Sequence, residues 1–233
     1  MRRFLLPLLS VFTLFAAGCA TSLPGDARLG VVDDLAPRVS AAIGSAATQA
    51  PAPTVRDDWQ LGTVAQQQAV ARLSGLGYRA EATHLPAELA ATISRGGALR
   101  TDFAGVRLDE RFASALADWM RTQGLDAVLV LRSLPRALAP GAPVEAGYGV
   151  ARRGEASLAY ANLSLLLVEG AGPTLRAAPQ CLATTPVDGA AIAGTRTQAE
   201  LSPLLPAVRE VLRQAIDGVL IRAGVLQGEA ACE

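Results

Sequence analysis

Cysteine, histidine and carboxylate side chains are the ones best suited to chemistry, and this chain holds few of the first two. It has three cysteines, Cys19, Cys181 and Cys232, and one histidine, His84. Aspartates stand as neighbours at Asp33-Asp34 and Asp57-Asp58. A Ser-His-Asp site would use His84 as base, beside a serine and an orienting carboxylate. No Gly-x-Ser-x-Gly elbow presents such a serine. A glycosidase needs two carboxylates at a set separation across a sugar. Adjacent aspartates fix no such separation, and turns or helix caps account for both pairs. One histidine and two distant cysteines do not make a metal cluster.

All 21 basic residues are arginine. Without lysine there is no Walker A phosphate ligand, no pyridoxal Schiff base and no Ser-Lys dyad. No cofactor is expected. The most suggestive loop is Gly147-Tyr148-Gly149 followed by Arg152-Arg153. Backbone amides beside arginines suit an anion or a sugar acid. The loop lacks the third glycine of a dinucleotide fingerprint, and a hairpin edge with solvated arginines is the plainer reading.

Cys181 and Cys232 form an even pair. In an oxidising compartment they can join, closing a loop worth about 4 kcal/mol in the chain-entropy account. The alternative is a buried free Cys181 and an unpaired Cys232 in the tail.

The elements that must position these residues are legible from periodicity and turn signals. Leu29–Val32 and Val39–Ile43 read as strands, with Asp33, Asp34 and Pro37 turning between them. Residues 45–54 are rich in Ala, Thr, Gln and Pro and read as a loop. Leu61, Ala65, Ala69, Leu73 and Leu76 recur at helical spacing, with Asp57 or Asp58 as cap and Gly77 as stop. Arg79–Thr83 reads as a short strand and Pro86–Ser94 as a small helix. The spacing of Phe112, Leu116, Trp119 and Met120 predicts a helix over 109–123, closed by Gly124. Ala127–Leu131 is apolar on both faces, as a central strand is. Residues 134–147 read as a loop, Ser157–Val168 as a long strand and Leu175–Thr184 as its hairpin partner. Ser202 and Pro203 open a last helix running to Ala223, with Leu205, Val208, Leu212, Ile216 and Val219 facing inward. The expectation is an α/β or α+β fold: a single mixed sheet packed by helices, with a long late hairpin and a C-terminal helix.

The N-terminus carries an address. Met1-Arg2-Arg3 precedes an apolar run from Phe4 to Ala17, too short to span a bilayer. The run ends in Phe15-Ala16-Ala17-Gly18-Cys19. This segment resembles the lipobox of bacterial lipoproteins, in which small residues precede a cysteine that receives diacylglycerol and becomes the new N-terminus. The resemblance implies lipid on Cys19. The family favours a branched aliphatic residue where this chain has Ala16, and Ala16 with Gly18 also fits an ordinary signal peptidase cutting after Gly18. Ala20 is not the aspartate that retains many such proteins at the inner membrane, so the resemblance implies the outer membrane, facing the periplasm.

These features divide the chain into a signal peptide (1–18), a lipidated cysteine and tether (19–27), one periplasmic domain (28–226) and a C-terminal tail (227–233). The formal charge of zero becomes −2 once Arg2 and Arg3 leave. No basic surplus speaks for nucleic acid. The layout of lipobox, tether, α/β body, late hairpin and terminal helix resembles the periplasmic lipoproteins that include the curli-secretion channel protein and activators of penicillin-binding proteins. Members assemble pores or touch envelope synthases and are not enzymes. The expected function is therefore a non-catalytic, lipid-anchored envelope protein that binds a protein partner or self-associates. A periplasmic hydrolase and an oligomeric secretion-channel component are the alternatives.

Overall fold

The computed structural model describes residues 23–41, 54–103, 105–138, 144–153, 156–170, 172–188 and 198–233. The signal segment, Cys19 and most of the 45–54 loop lie outside them. In chain order come β1 (Arg28–Asp34), β2 (Arg38–Ala41), β3 (Thr54–Arg56), α1 (Leu61–Gly75), β4 (Arg79–Thr83), α2 (Ala87–Ser94), β5 (Leu99–Asp102), β6 (Gly105–Leu108) and α3 (Glu110–Gln123). The second half holds β7 (Ala127–Ser133), β8 (Arg136–Ala137), β9 (Val144–Glu145), β10 (Tyr148–Arg153), β11 (Ala156–Glu169), β12 (Thr174–Ala177), β13 (Gln180–Val187), α4 (Gln198–Leu201) and α5 (Leu205–Arg222). The main sheet runs β3-β2-β10-β11-β7-β1-β4, with β12 and β13 both laid along β11. It is mixed: β1 is parallel to β4 and β7, while β11 is antiparallel to β7, β10, β12 and β13.

The long strand β11 alternates between two cores because successive side chains point to opposite faces. Ala159, Ala161, Leu163, Leu165 and Leu167 are fully buried in the cluster shared with α1 and α5. Leu166 and Val168 join the cluster under α2 and α3. Tyr160 packs with Leu138, Ala151, Leu158 and Leu182 in a third, smaller cluster. Helices therefore cover both faces, and the chain has a mixed α/β fold.

Two strands flanking β11 are interrupted at one level. On one side of β11, β7 pairs down to Ser133 opposite Leu163, and β10 takes over from Tyr148 opposite Ala161. The chain leaves the sheet between them, and Asn162 clamps both ends of the excursion. Its N–H donates to Gly147 O (2.7 Å), its C=O accepts from Leu134 N (2.9 Å) and its amide Nδ2 donates to Leu134 O (2.8 Å). Next to this gap, β1 ends at Asp34 and β2 resumes at Arg38. Ala36 N in that break donates to Ser133 Oγ (2.8 Å), and the Tyr148 hydroxyl donates to Ala36 O.

Several elements depart from the sequence expectation. Residues 148–153 form β10, the hairpin partner of β11, but not an edge: β2 pairs with its other side, and Tyr148 and Val150 enter the main core while Ala151 enters the third cluster. The hairpin β5–β6 is absent from the sequence reading. Its arginine-rich strands show no clean apolar alternation, and it is tied to the body by Asp109 N donating to Ala98 O (2.9 Å). Ser202 does not cap the last helix: Ser202–Leu204 form a 3-10 turn continuing from α4, and α5 follows. Asp109, read from the sequence as the first residue of the helix, is instead the cap of α3, accepting from Arg111 N and Phe112 N. Residues past Gly224 fold back rather than trailing away, with Glu233 N donating to Leu182 O (3.1 Å).

The tightest backbone approach lies beside the break. Gly149 has φ +137°, and a Cβ there would collide with Ser40 O and stand 2.6 Å from Ser40 N. Gly149→Ala is expected to cost about 2–4 kcal/mol, combining overpacking with a disallowed backbone. Gly25→Ala, with open space around it, should change stability by less than about 0.5 kcal/mol. Urea midpoints of the two variants measure the contrast.

Candidate functional site

The break between β1 and β2 opens a cavity of about 320 Å³ lined by Asp33, Leu35, Ala36, Pro37, Asp57, Gln60, Gly62, Thr63 and Tyr148. It lies at the carboxyl ends of the parallel strands β1 and β4 and at the start of α1. That is where open α/β sheets commonly receive ligands. The local sequence dictates the shape. Pro37 cannot donate to a ladder, so β1 stops short of it. Gly62 lets the first turn of α1 press against Asp33, whose Cγ would stand 2.7 Å from a Cβ at that position. Gln66, buried one turn further on, donates its amide to Val31 O (2.7 Å) and Thr83 O (2.9 Å), tying α1 to both parallel strands.

Both carboxylates of the cavity already hold backbone. Asp57 accepts from Trp59 N (3.1 Å) and Leu61 N (2.9 Å), so it caps the entry to α1 from three residues before the geometric cap. That cap is Gln60, at φ 54° the single non-glycine residue with positive φ among those described. A left-handed non-glycine backbone costs about 1–3 kcal/mol, and such strain gathers at functional sites. Asp33 Oδ1 accepts from Leu35 N (2.8 Å). The Tyr148 hydroxyl, shared between Ala36 O and Asp57 Oδ2 (3.2 Å), is buried and its pKa pushed up, first by desolvation and then by Asp57 and Asp33. It stays neutral as a donor.

Burial also raises the pKa of Asp33, opposed by the Leu35 amide, reinforced by Asp34 and Asp57, and eased by His84. Asp34 is raised too, mainly by burial, against a hydrogen bond from Ser94 (3.0 Å) and the Arg132 guanidinium at 3.4 Å. The arrangement offers hydrogen-bond acceptors to a donor-rich or cationic group. Among the described residues no three His, Cys, Asp or Glu side chains gather to hold a metal.

The residues singled out in the sequence are dispersed. Asp33, Asp57 and Tyr148 line this cavity, whereas His84 is exposed just past the end of β4 and is not among its walls. Gly147 and Gly149 are buried against Ser133 and Ser40 and are not among the cavity's walls. Arg152 and Arg153 end β10, in register with Ser157 and Ala156. Cys181 and Cys232 are paired, with Cα atoms 5.3 Å apart, against α5. Turn and cap roles account for the two aspartate pairs in the sequence, and the fold brings Asp33 and Asp57 into one cavity. Gln60 carried no signal at all, since nothing in a glutamine announces a left-handed backbone.

The raised pKa values set a pH dependence. A carboxyl whose folded pKa exceeds the unfolded value stabilises the fold while protonated, below about pH 4. That contribution is lost as pH rises through the folded value. Asp33→Asn keeps the oxygen that Leu35 N uses and removes the buried charge. Its melting temperature should exceed the parent's at pH 7 and converge with it towards pH 4. A variant less stable at both pH values would show Asp33 to be needed as a carboxylate.

No protein-family model matches this chain, and no curated protein is similar to it. Among solved structures it is similar to the hypothetical protein CT253 from Chlamydia trachomatis, at 10% identity and a TM-score of 0.47, over 86% of this chain and 97% of that one. It is similar to protein XCC0632 of the DUF330 family from Xanthomonas campestris, at 11% identity and a TM-score of 0.44, over 85% and 86% of the two chains. It is also similar to the lipoprotein GNA1162 from Neisseria meningitidis, at 19% identity and a TM-score of 0.32, over 79% and 96%. At TM-scores below 0.5 such likeness says nothing of function, and the fold stands on the strands and helices given above.

Proposed function

We propose that this is a lipid-anchored protein of the bacterial cell envelope that acts by binding or assembling with other proteins. The observation that carries the reading is Cys19, set after a charged start, a short apolar run and the small residues Ala16, Ala17 and Gly18. The folded body supports it. Leu23 is already buried, so three residues separate the anchor from the domain, and the four steps from Cys19 to Leu23 reach about 14 Å at most. Lipid on Cys19 would hold the domain against the bilayer surface, at about 0.8 kcal/mol per buried CH2. No helix of the described residues is long and apolar enough to cross a membrane. The β5–β6 hairpin presents Phe103 fully exposed and Val106 half-exposed, an apolar tip of the kind that contacts partners. In the cavity, both carboxylates are engaged by backbone N–H groups, Asp33 by Leu35 and Asp57 by Trp59 and Leu61, which favours a binding role over a catalytic one.

A second reading, a hydrolase working through Asp33, draws on the raised carboxyl in the cavity. One set of experiments separates the two. In the native host, Cys19→Ser should move the protein from the membrane to the soluble fraction and abolish a recurrent cross-linked envelope partner. Asp33→Asn, folded normally, should leave partner and phenotype intact. Retention of Cys19→Ser on membranes defeats the anchor. Loss of phenotype in Asp33→Asn, with the partner still bound, supports the hydrolase.

A further inference from the structure

The cavity at the β1–β2 break, of about 320 Å³, holds negative charge that the chain does not neutralise. Among the described residues no arginine forms an ion pair with Asp33 or Asp57. Burial works first against the charged form of Asp33, and Asp34 and Asp57 add to it, with His84 the one positive group easing it. A carboxylate taken out of water without a counter-charge is costly, and an incoming cation offsets that cost.

The state of each oxygen selects the cation. Asp33 Oδ1 accepts from Leu35 N (2.8 Å), while Oδ2, lying over Gly62, accepts no hydrogen bond from the described residues. Asp57 Oδ1 accepts from Trp59 N (3.1 Å), and its Oδ2 from Leu61 N (2.9 Å) and the Tyr148 hydroxyl (3.2 Å). Neither carboxylate keeps two open oxygens side by side, which is what a guanidinium fork takes. A primary ammonium is a compact charge with three rotatable donors. The open oxygen of Asp33, the field of Asp57 and the Thr63 hydroxyl on the cavity wall suit it. A hard metal ion asks for about six or more oxygens, and no three acidic side chains gather here among the described residues. Leu35, Ala36 and Pro37 supply apolar wall for an alkyl stem.

We propose that this cavity binds a small soluble ligand carrying a primary ammonium group, its nitrogen at Asp33 Oδ2 beside Asp57 and its alkyl stem along Leu35 and Pro37. The ligand is small because the rim offers a protein partner no apolar anchor. The exposed large apolar side chains among the described residues are Leu76, Phe103 and Val106, and none lines the cavity. The site is a second function beside partner binding: it lies on the α1 face of the sheet, whereas the β5–β6 hairpin stands on the α2–α3 face. Asp33 stands five residues along β1 from Arg28, about 17 Å from the end where the chain arrives from Cys19. On the anchored reading this sets the cavity apart from lipid headgroups, while the ammonium site itself does not depend on Cys19.

Isothermal titration of the full chain in non-ionic detergent at pH 7, with n-butylammonium chloride as probe, tests this. Saturable one-to-one binding is expected, with n-butylguanidinium at least tenfold weaker and 1-butanol silent. Asp33→Asn removes the charge, keeps the oxygen that Leu35 N uses, and should weaken butylammonium at least tenfold. Thr63→Lys supplies an ammonium from the chain itself and should exclude the probe with both carboxylates intact. Asp118→Asn, an exposed carboxylate on α3, should leave binding unchanged. The envelope partner should still cross-link to Asp33→Asn, so failure of this site and failure of the anchored-partner reading are read separately. Absence of saturable binding overturns the site, as does an equal loss in Asp118→Asn. Guanidinium binding as tightly as ammonium overturns the selection by open oxygens. Asp33-dependent binding to phosphatidylethanolamine vesicles, or a lysine peptide bound at least tenfold tighter than butylammonium, overturns the small soluble ligand in favour of a headgroup or a partner's side chain.

Discussion

Asn162 is the residue around which the two halves of the sheet are joined. Its backbone N–H and C=O and its side-chain amide are all turned to the two ends of the 134–147 excursion. A buried backbone group that loses its ladder partner costs about 1–3 kcal/mol, and leaving a sheet in mid-strand strands several at once. Placing an asparagine at the gap satisfies them locally. The neighbouring pair of strands breaks at the same level for a related reason. Pro37 cannot continue β1, and the freed Ala36 N–H and C=O are taken by Ser133 and Tyr148. The cavity at Asp33 and Asp57 is a consequence of that break. It opens where two strands stop, and its walls are the residues that repair the stop.

The same constraint explains why Gly147-Tyr148-Gly149 looked like a ligand loop. Glycines flanking a polar residue invite that reading because glycine permits close backbone approach. The approach is real, but it is to Ser133 and Ser40 of this chain. Tyr148, between them, sends its hydroxyl across the break to Ala36 and Asp57. A motif of small residues reports that something comes near the backbone without saying whether it is a ligand or another strand.

Elements governed by their own periodicity were legible in the sequence. The strand at Arg79–Thr83 and the helix opened by Asp109 and closed by Gly124 have bounds set by local turn and capping chemistry. The long strand β11 announced itself through the alternation of Ala159 to Leu167. What was not legible depends on contacts distant in sequence. The hairpin β5–β6 forms because Ala98 and Asp109 meet at its base, and its exposed arginines leave no apolar stripe to read. The cavity joins Asp33, Asp57 and Tyr148, which lie more than twenty residues apart and come together only when β1, α1 and β10 share one corner. The left-handed backbone at Gln60 is imposed by Asp57 holding Trp59 and Leu61 at once, a constraint that no single-residue preference encodes.

The cysteines show how a helix pattern can carry information about a distant pair. Gly218 sits inside α5, where glycine is less favourable than alanine by about 1 kcal/mol, and it lies between the inward residues Ile216 and Val219. Nothing in helix propensity asks for it. A small residue on the buried face of an otherwise apolar helix marks a place where something bulky must fit. Here the two sulfurs of Cys181 and Cys232 fill the notch, which a methyl group would close. Closing a loop with a sequence separation of 51 contributes about 4 kcal/mol in the chain-entropy account, several times what the glycine costs. The balance favours the notch, and it draws the end of the chain onto β13, where Glu233 N donates to Leu182 O.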